Sequence, residues 1–141
     1  MGMPLFEILS RLIAAAFLCG AIGFEREYRH KPAGLRTNML VGIGTAIVCL
    51  VTIELLRMFP TAIIDPAHLA SMVMSGIGFL GAGTILHERG SVSGLTTAAS
   101  LWLAASIGLA AGMGLFTIAV CGTVLGLITL AIVGRFHLER E

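Results

Sequence analysis

The ionisable residues that could do chemistry crowd into one short stretch, Gly23 to Thr37, which reads GFEREYRHKPAGLRT. It holds Glu25, Arg26, Glu27, Arg29, Lys31 and Arg36 between two apolar runs, Leu12 to Phe24 and Met39 to Val51. Glu25 and Glu27, with Glu88 further on, could pair with the arginines or hold a hydrated Mg²⁺, an ion that favours carboxylate and water oxygens. Arg36-Thr37-Asn38 opens one apolar run, and Gly94-Leu95-Thr96-Thr97 opens another. Two helix starts of this kind turn free N–H groups and positive dipole ends toward the same side, where Thr or Asn can cap them. With Arg36 beside them, they suit an anion such as a lipid phosphate or a partner's carboxylate. The plainer reading is a loop held by its own salt bridges and hydrogen bonds.

Other candidates are weaker in chemical content. Asp65-Pro66 precedes an apolar run, so Asp65 is expected to N-cap a helix, with metal binding as the alternative. Glu7 and Arg11 stand at i, i+4 with the carboxylate first, the favoured order for a pair on one helix face. An arginine there could also snorkel to the membrane surface. Gly76 to Gly81 matches GxGxxG, yet it sits inside an apolar run with no strand before it, so no dinucleotide site is expected. Ser75, Gly76, Gly78, Gly81 and Gly83 read instead as helix-packing positions, or as the lining of a cavity or pathway. His87-Glu88 starts like a zinc-protease helix, but Ser91 stands where the second His belongs. No Gly-x-Ser-x-Gly elbow is present, and a non-enzyme is expected. Cys19, Cys49 and Cys121 each lie in an apolar run and read as packing residues.

The elements that must carry these residues follow from composition. Of 141 residues 57% are hydrophobic and 12% charged, with 18 glycines. A soluble domain carries roughly twice that share of charge. The chain therefore reads as one membrane domain, residues 1–141, an all-α bundle of about five transmembrane helices in the lipid bilayer. The expected spans are 4–24, 38–58, 69–86, 95–112 and 115–134, each near the roughly 20 residues that cross the hydrocarbon core. The first ten residues hold no Lys or Arg, so a cleaved signal peptide is not expected. One side collects Arg26, Arg29, Lys31, Arg36, Arg89, Arg135 and Arg140, and the other only Arg57 and Arg11. The positive-inside rule then puts the N-terminus outside and the C-terminus in the cytoplasm. Nine Lys and Arg against eight Asp and Glu give no reason to expect nucleic acid as a partner. GxxxG pairs at Gly108/Gly112 and Gly122/Gly126, and a small-residue face of Ser71, Ser75, Gly78 and Ala82, fit close helix packing within the chain or in a homo-oligomer.

Three separate motifs, GFEREYRHKPAGLRTNMLVGIG, SGIGFLGAG and GLTTAASLW followed by IGLAAGMG, closely resemble the MgtC/SapB family of bacterial membrane proteins. The likeness runs over about residues 10 to 130. It implies a multi-pass protein of the bacterial inner (plasma) membrane, tied to magnesium homeostasis and to growth when magnesium is scarce. Members are often labelled magnesium transporters, while the founding branch is regulatory and inhibits the membrane ATP synthase. By position, the motif residues are Glu25, Arg26, Ala33, Gly34, Leu35, Arg36 and Thr37; Ser75, Gly76, Gly78, Phe79, Gly81, Ala82 and Gly83; and Gly94, Leu95, Thr97, Ala98, Ala99 and Trp102. Virulence-associated members carry a soluble C-terminal domain, and the stop at Glu141 resembles the shorter SapB-like type. The resemblance thus implies a regulatory or interaction protein of magnesium homeostasis or of envelope and acid stress, with a membrane-protein partner. A small oligomeric transporter or channel for Mg²⁺ or another cation is the alternative. No resident cofactor is expected, with Mg²⁺ as ligand or signal.

Overall fold

The computed structural model describes residues 2–61, 65–88 and 91–133. Its helices are α1 (Leu5–Tyr28), α2 (Leu35–Met58), α3 (Pro66–Gly83), α4 (Leu95–Gly112) and α5 (Phe116–Ile128), the last continuing into a π-helical turn over Thr129–Val133. A two-stranded antiparallel hairpin, β1 (Leu86–Glu88) with β2 (Ser91–Ser93), joins α3 to α4, and Leu86 pairs with Ser93. Of the cations used to orient the chain, Arg89, Arg135 and Arg140 lie outside the described residues.

Among the described residues three helices, α1, α2 and α4, are long and apolar enough to cross a membrane; Ala70–Gly83 and Phe116–Ile132 are shorter apolar stretches. The expected boundaries shift for local reasons. Span 95–112 matches α4, whereas span 4–24 becomes a helix that runs on to Tyr28. Glu25, Arg26 and Glu27 are therefore helical, and the loop shrinks to 29–34. The end of α1 explains this: Lys31 N–H reaches Arg26 O at 2.9 Å, and His30 N–H reaches Glu27 O at 3.0 Å. That is a Schellman closure, which places the residue after the helix in the left-handed region. His30 sits there with φ 54°. Because a side chain is disfavoured at this φ, His30→Gly is expected to stabilise the protein by about 1 kcal/mol, read from thermal unfolding in detergent.

Span 69–86 moves back to Pro66–Gly83 because Asp65 starts it and the hairpin claims Leu86. Asp65 does cap: its Oδ1 accepts from Ala67 N–H at 2.9 Å, with proline in the first turn. The fourth helix is preceded by Gly94 at φ 89°, where a Cβ would strike the Thr84 carbonyl. The fifth, expected over 115–134, begins at Phe116 and runs through α5 and the π turn to Val133, where the described residues end.

The core is small and apolar: Ala15, Cys19 and Ile22 of α1, Ala46 of α2, Ala104, Ile107 and Ala111 of α4, and Ala119 of α5. Small residues let α2 and α4 approach backbone to backbone. A Cβ on Gly108 would meet Thr45 and the Gly42 backbone, and one on Gly112 would lie 2.8 Å from Ala46 Cα and from Cys49 Cβ. Gly126 likewise seats Leu103 and Ile22. Both GxxxG pairs thus serve packing inside the chain. Cys19 and Cys49 are buried and turn their thiols to the Ala104 and Leu109 carbonyls, while Cys121 is exposed. By contrast α3 is peripheral: Ser71, Ser75, Gly76, Gly78, Ala82 and Gly83 are all exposed, and only Gly81, against Ala98, is packed among its motif glycines.

Candidate functional site

The last turn of α1 sends its three charged residues in three directions, because successive helix positions are about 100° apart. Arg26 points into the bundle, is only 5% exposed, and donates from Nη2 to Thr97 Oγ1 at 2.8 Å. Glu25 turns along the helix to Arg29, with Oε1 2.6 Å from Nε. Glu27 reaches across the loop, where its Oε2 accepts the Leu35 N–H at 2.8 Å. Arg29 in turn donates to Ala131 O at 3.0 Å, inside the π-helical turn. A π turn frees carbonyls from the regular ladder, and here a cation takes one of them. The charged end of α1 is thereby tied to α2, α4 and the end of α5.

Asn38 completes the cluster. It is wholly buried, and its Nδ2 donates to Ala33 O at 2.6 Å and Gly34 O at 3.0 Å, fixing the chain that enters α2. Ser100 Oγ gives its proton to Thr97 O at 2.8 Å. Gly23 admits the crossing, since a Cβ there would lie 2.7 Å from Leu35 Cα.

This arrangement corrects several expectations. Arg36 was expected at the two helix starts, but Arg36 and Thr37 are exposed, and Arg36 has no hydrogen-bond or ion-pair partner among the described residues. The arginine that meets Thr97 is Arg26. No side chain of the second or fourth helix caps its own start: α2 is capped by Glu27 from α1, and Gly94 precedes α4 without a side-chain bond. Thr96 is exposed and lines a cavity of about 370 Å³ between α4 and α5, with Ser100 and Thr129. Trp102 is 52% exposed on α4. Glu88 lies on β1, and its side chain is outside the described residues.

Three of the residues offered for Mg²⁺ are engaged within the chain. Glu25 is taken by Arg29, Glu27 by a backbone N–H, and Asp65 by the start of α3. Among the described residues no three His, Cys, Asp or Glu side chains gather. At the opposite end of the bundle, Arg11 pairs with Glu7 as the i, i+4 spacing predicts. Its Nη1 also donates to Gly112 O at 2.8 Å, which sets a cation at the C-terminus of α4. Glu54 accepts Met3 N–H at 2.7 Å and lies 3.6 Å from Arg57 Nη1.

Two residues of the cluster, Arg29 and Asn38, have parts that the sequence reading did not assign to them individually. Arg29 had a signal, since it stands four residues after Glu25 with the carboxylate first. Asn38 had a weak one, an amide in the first turn of an apolar helix. Its contact to Ala33 requires the φ of 56° at Ala33, which no pattern announces.

The model of the MgtC family matches residues 12–138. The chain belongs to the MgtC family. Escherichia coli K12 has a relative named "Putative magnesium transporter YhiD", 42% identical over 135 residues, covering 93% of this chain and 61% of YhiD. The MgtC protein of Brucella abortus is 46% identical over 99 residues, 70% of this chain and 40% of that protein. Salmonella typhimurium MgtC is 44% identical over 100 residues, 71% of this chain and 41% of that protein. The chain thus spans less than two thirds of the length of these relatives. No solved structure matches it. Family membership and three helices fit to cross a bilayer make this a membrane protein.

Proposed function

We propose that this MgtC-family chain is a non-enzymatic, multi-pass protein of the bacterial inner membrane with a regulatory or interaction role in magnesium homeostasis or in envelope and acid stress. Five helices cross the bilayer in this reading, with the N-terminus outside and the Arg26 end of the bundle in the cytoplasm, where cations accumulate. A membrane-protein partner is the expected target, and Mg²⁺ acts as signal.

One observation carries the reading: the charge on the last turn of α1 is spent within the chain. Arg26, Glu25 and Glu27 each hold a helix end in place, and the core between α1, α2, α4 and α5 is alanine, cysteine and isoleucine. A transporter normally places ionisable groups near the midplane of the membrane. Purified protein in liposomes loaded with a Mg²⁺-sensitive dye is expected to admit no more Mg²⁺ than protein-free vesicles. Uptake that follows an imposed gradient would overturn the proposal.

A second reading has its own support. The name of YhiD and the unpacked hydroxyl and glycine face of α3 favour a small oligomeric cation channel, its path lined by Ser71, Ser75, Gly76 and Gly78. Such a path requires copies to meet along α3. Gly78→Leu, at a position with open space around it, is then expected to block assembly and flux, and it leaves both unchanged if the face meets lipid.

A further inference from the structure

A groove of about 580 Å³ runs along α1 from Ala16 to Glu25, lined also by Leu35, Met39 and Leu127. Nine helical steps make it about 13 Å long, close to the depth of one leaflet of a roughly 30 Å hydrocarbon core. Apart from Glu25 its lining is apolar. At the charged end stand Phe24 and Tyr28, 63% and 77% exposed, their rings stacked with centroids 6.4 Å apart. Exposed aromatics ending in a tyrosine hydroxyl settle at headgroup level. The groove therefore descends from the membrane surface toward its middle.

Charge at its mouth decides the occupant. The two carboxylates there are already engaged, Glu25 by Arg29 and Glu27 by the Leu35 N–H. Lys31 and Arg36 are exposed, their side chains have no partner among the described residues, and Arg36 adjoins Leu35 of the groove wall. An apolar channel one leaflet deep beneath two uncommitted cations matches an acyl chain carrying an anionic head. We propose that this groove binds one anionic phospholipid, its acyl chain along Phe17, Ala21 and Phe24 and its phosphate at Arg36 and Lys31. The site rests on membrane placement alone, so its failure would leave the Mg²⁺ flux result of the previous section untouched.

The test uses the full chain in a mild detergent, with native mass spectrometry counting bound dioleoyl-phosphatidylglycerol or dioleoyl-phosphatidylcholine. Phosphatidylglycerol is expected to bind more tightly, and glycerol phosphate without chains not to bind. One surface cation contributes about fivefold in affinity, so Arg36→Gln should lower the preference about that much, and adding Lys31→Gln should remove it. Ala21→Phe fills the groove and should weaken both lipids alike while keeping their ratio. Arg36→Gln removes no contact within the fold, and unchanged Trp102 fluorescence will report an intact bundle. Equal affinity for the two lipids overturns the proposal, as does a preference that survives the double substitution. Full binding by Ala21→Phe overturns it too, since lipid would then sit elsewhere and the groove would be left to a protein helix.

Discussion

Gly108→Leu is expected to prevent the bundle from assembling. α2 and α4 cross where a Cβ on Gly108 would meet the Gly42 backbone and the Thr45 hydroxyl, and backbone cannot swing aside as a flexible side chain can. Thr45 is itself held, its Oγ1 donating to Val41 O at 3.0 Å and buried to 5% exposure. Overpacking a core position costs about 1–3 kcal/mol where neighbours can move, and this site lacks that freedom. A loss of at least about 3 kcal/mol is expected, seen as collapse of the monodisperse yield in detergent and of the cooperative thermal transition. The contrast is Gly78→Leu, where nothing lies within 4 Å and the monomer should stay within about 0.5 kcal/mol of the parent. A stable, monodisperse Gly108→Leu protein would mean that α2 and α4 do not cross as described. Both positions are glycines in apolar helical runs, and the sequence treats them alike. Their difference arises from which helix lies at the centre, and α4 is central while α3 is peripheral.

What the sequence makes legible is whatever depends on composition and on neighbours along the chain. The apolar runs gave the helices, and α4 came out at its expected bounds because Gly94 and the Gly112-Met113-Gly114 turn punctuate it on both sides. The Asp65 cap and the Glu7–Arg11 pair are local patterns, and both are present. The membership of the family was likewise written in its motifs. The candidate site was legible only in outline. Charge density marked the right segment, but the apolar-run criterion ended α1 at Phe24, before the three residues that matter. A helix end is set by its capping hydrogen bonds, and here a histidine in the left-handed region closes it, where glycine is the usual signal. Once Glu25, Arg26 and Glu27 are helical, rotation alone separates them and sends only Arg26 inward. Arg36, two turns of chain away, is then surplus to the cluster. The pairing of Arg26 with Thr97 spans 71 residues, and no local pattern reports a contact of that reach.

That pairing yields the other large effect. Thr97→Val keeps the shape of a 3% exposed side chain while removing the acceptor of the Arg26 Nη2 proton. Arg26 already has a buried Nε without a partner, so a second unbonded donor on the same guanidinium finds nothing to replace it. A hydrogen bond to a charged group is worth about 1.5–3 kcal/mol, and leaving the charge buried puts the expected loss at the upper end. Urea or thermal unfolding in detergent, followed by Trp102 fluorescence, measures it. Arg26→Met alone should cost less, because the freed Thr97 hydroxyl can turn to a backbone carbonyl of the preceding turn. Arg26→Met with Thr97→Val should recover most of the loss of Thr97→Val, since a buried polar pair replaced by apolar groups of similar volume is often close to neutral. The cycle isolates the coupling, which should also be insensitive to 1 M salt because the pair is sealed from solvent, unlike an exposed ion pair at a Debye length of about 3 Å. If Thr97→Val is neutral, or its cost vanishes in salt, Arg26 is hydrated in the membrane and free to meet a ligand. A large, salt-independent cost instead makes the arginine of the motif a structural tie between α1 and α4.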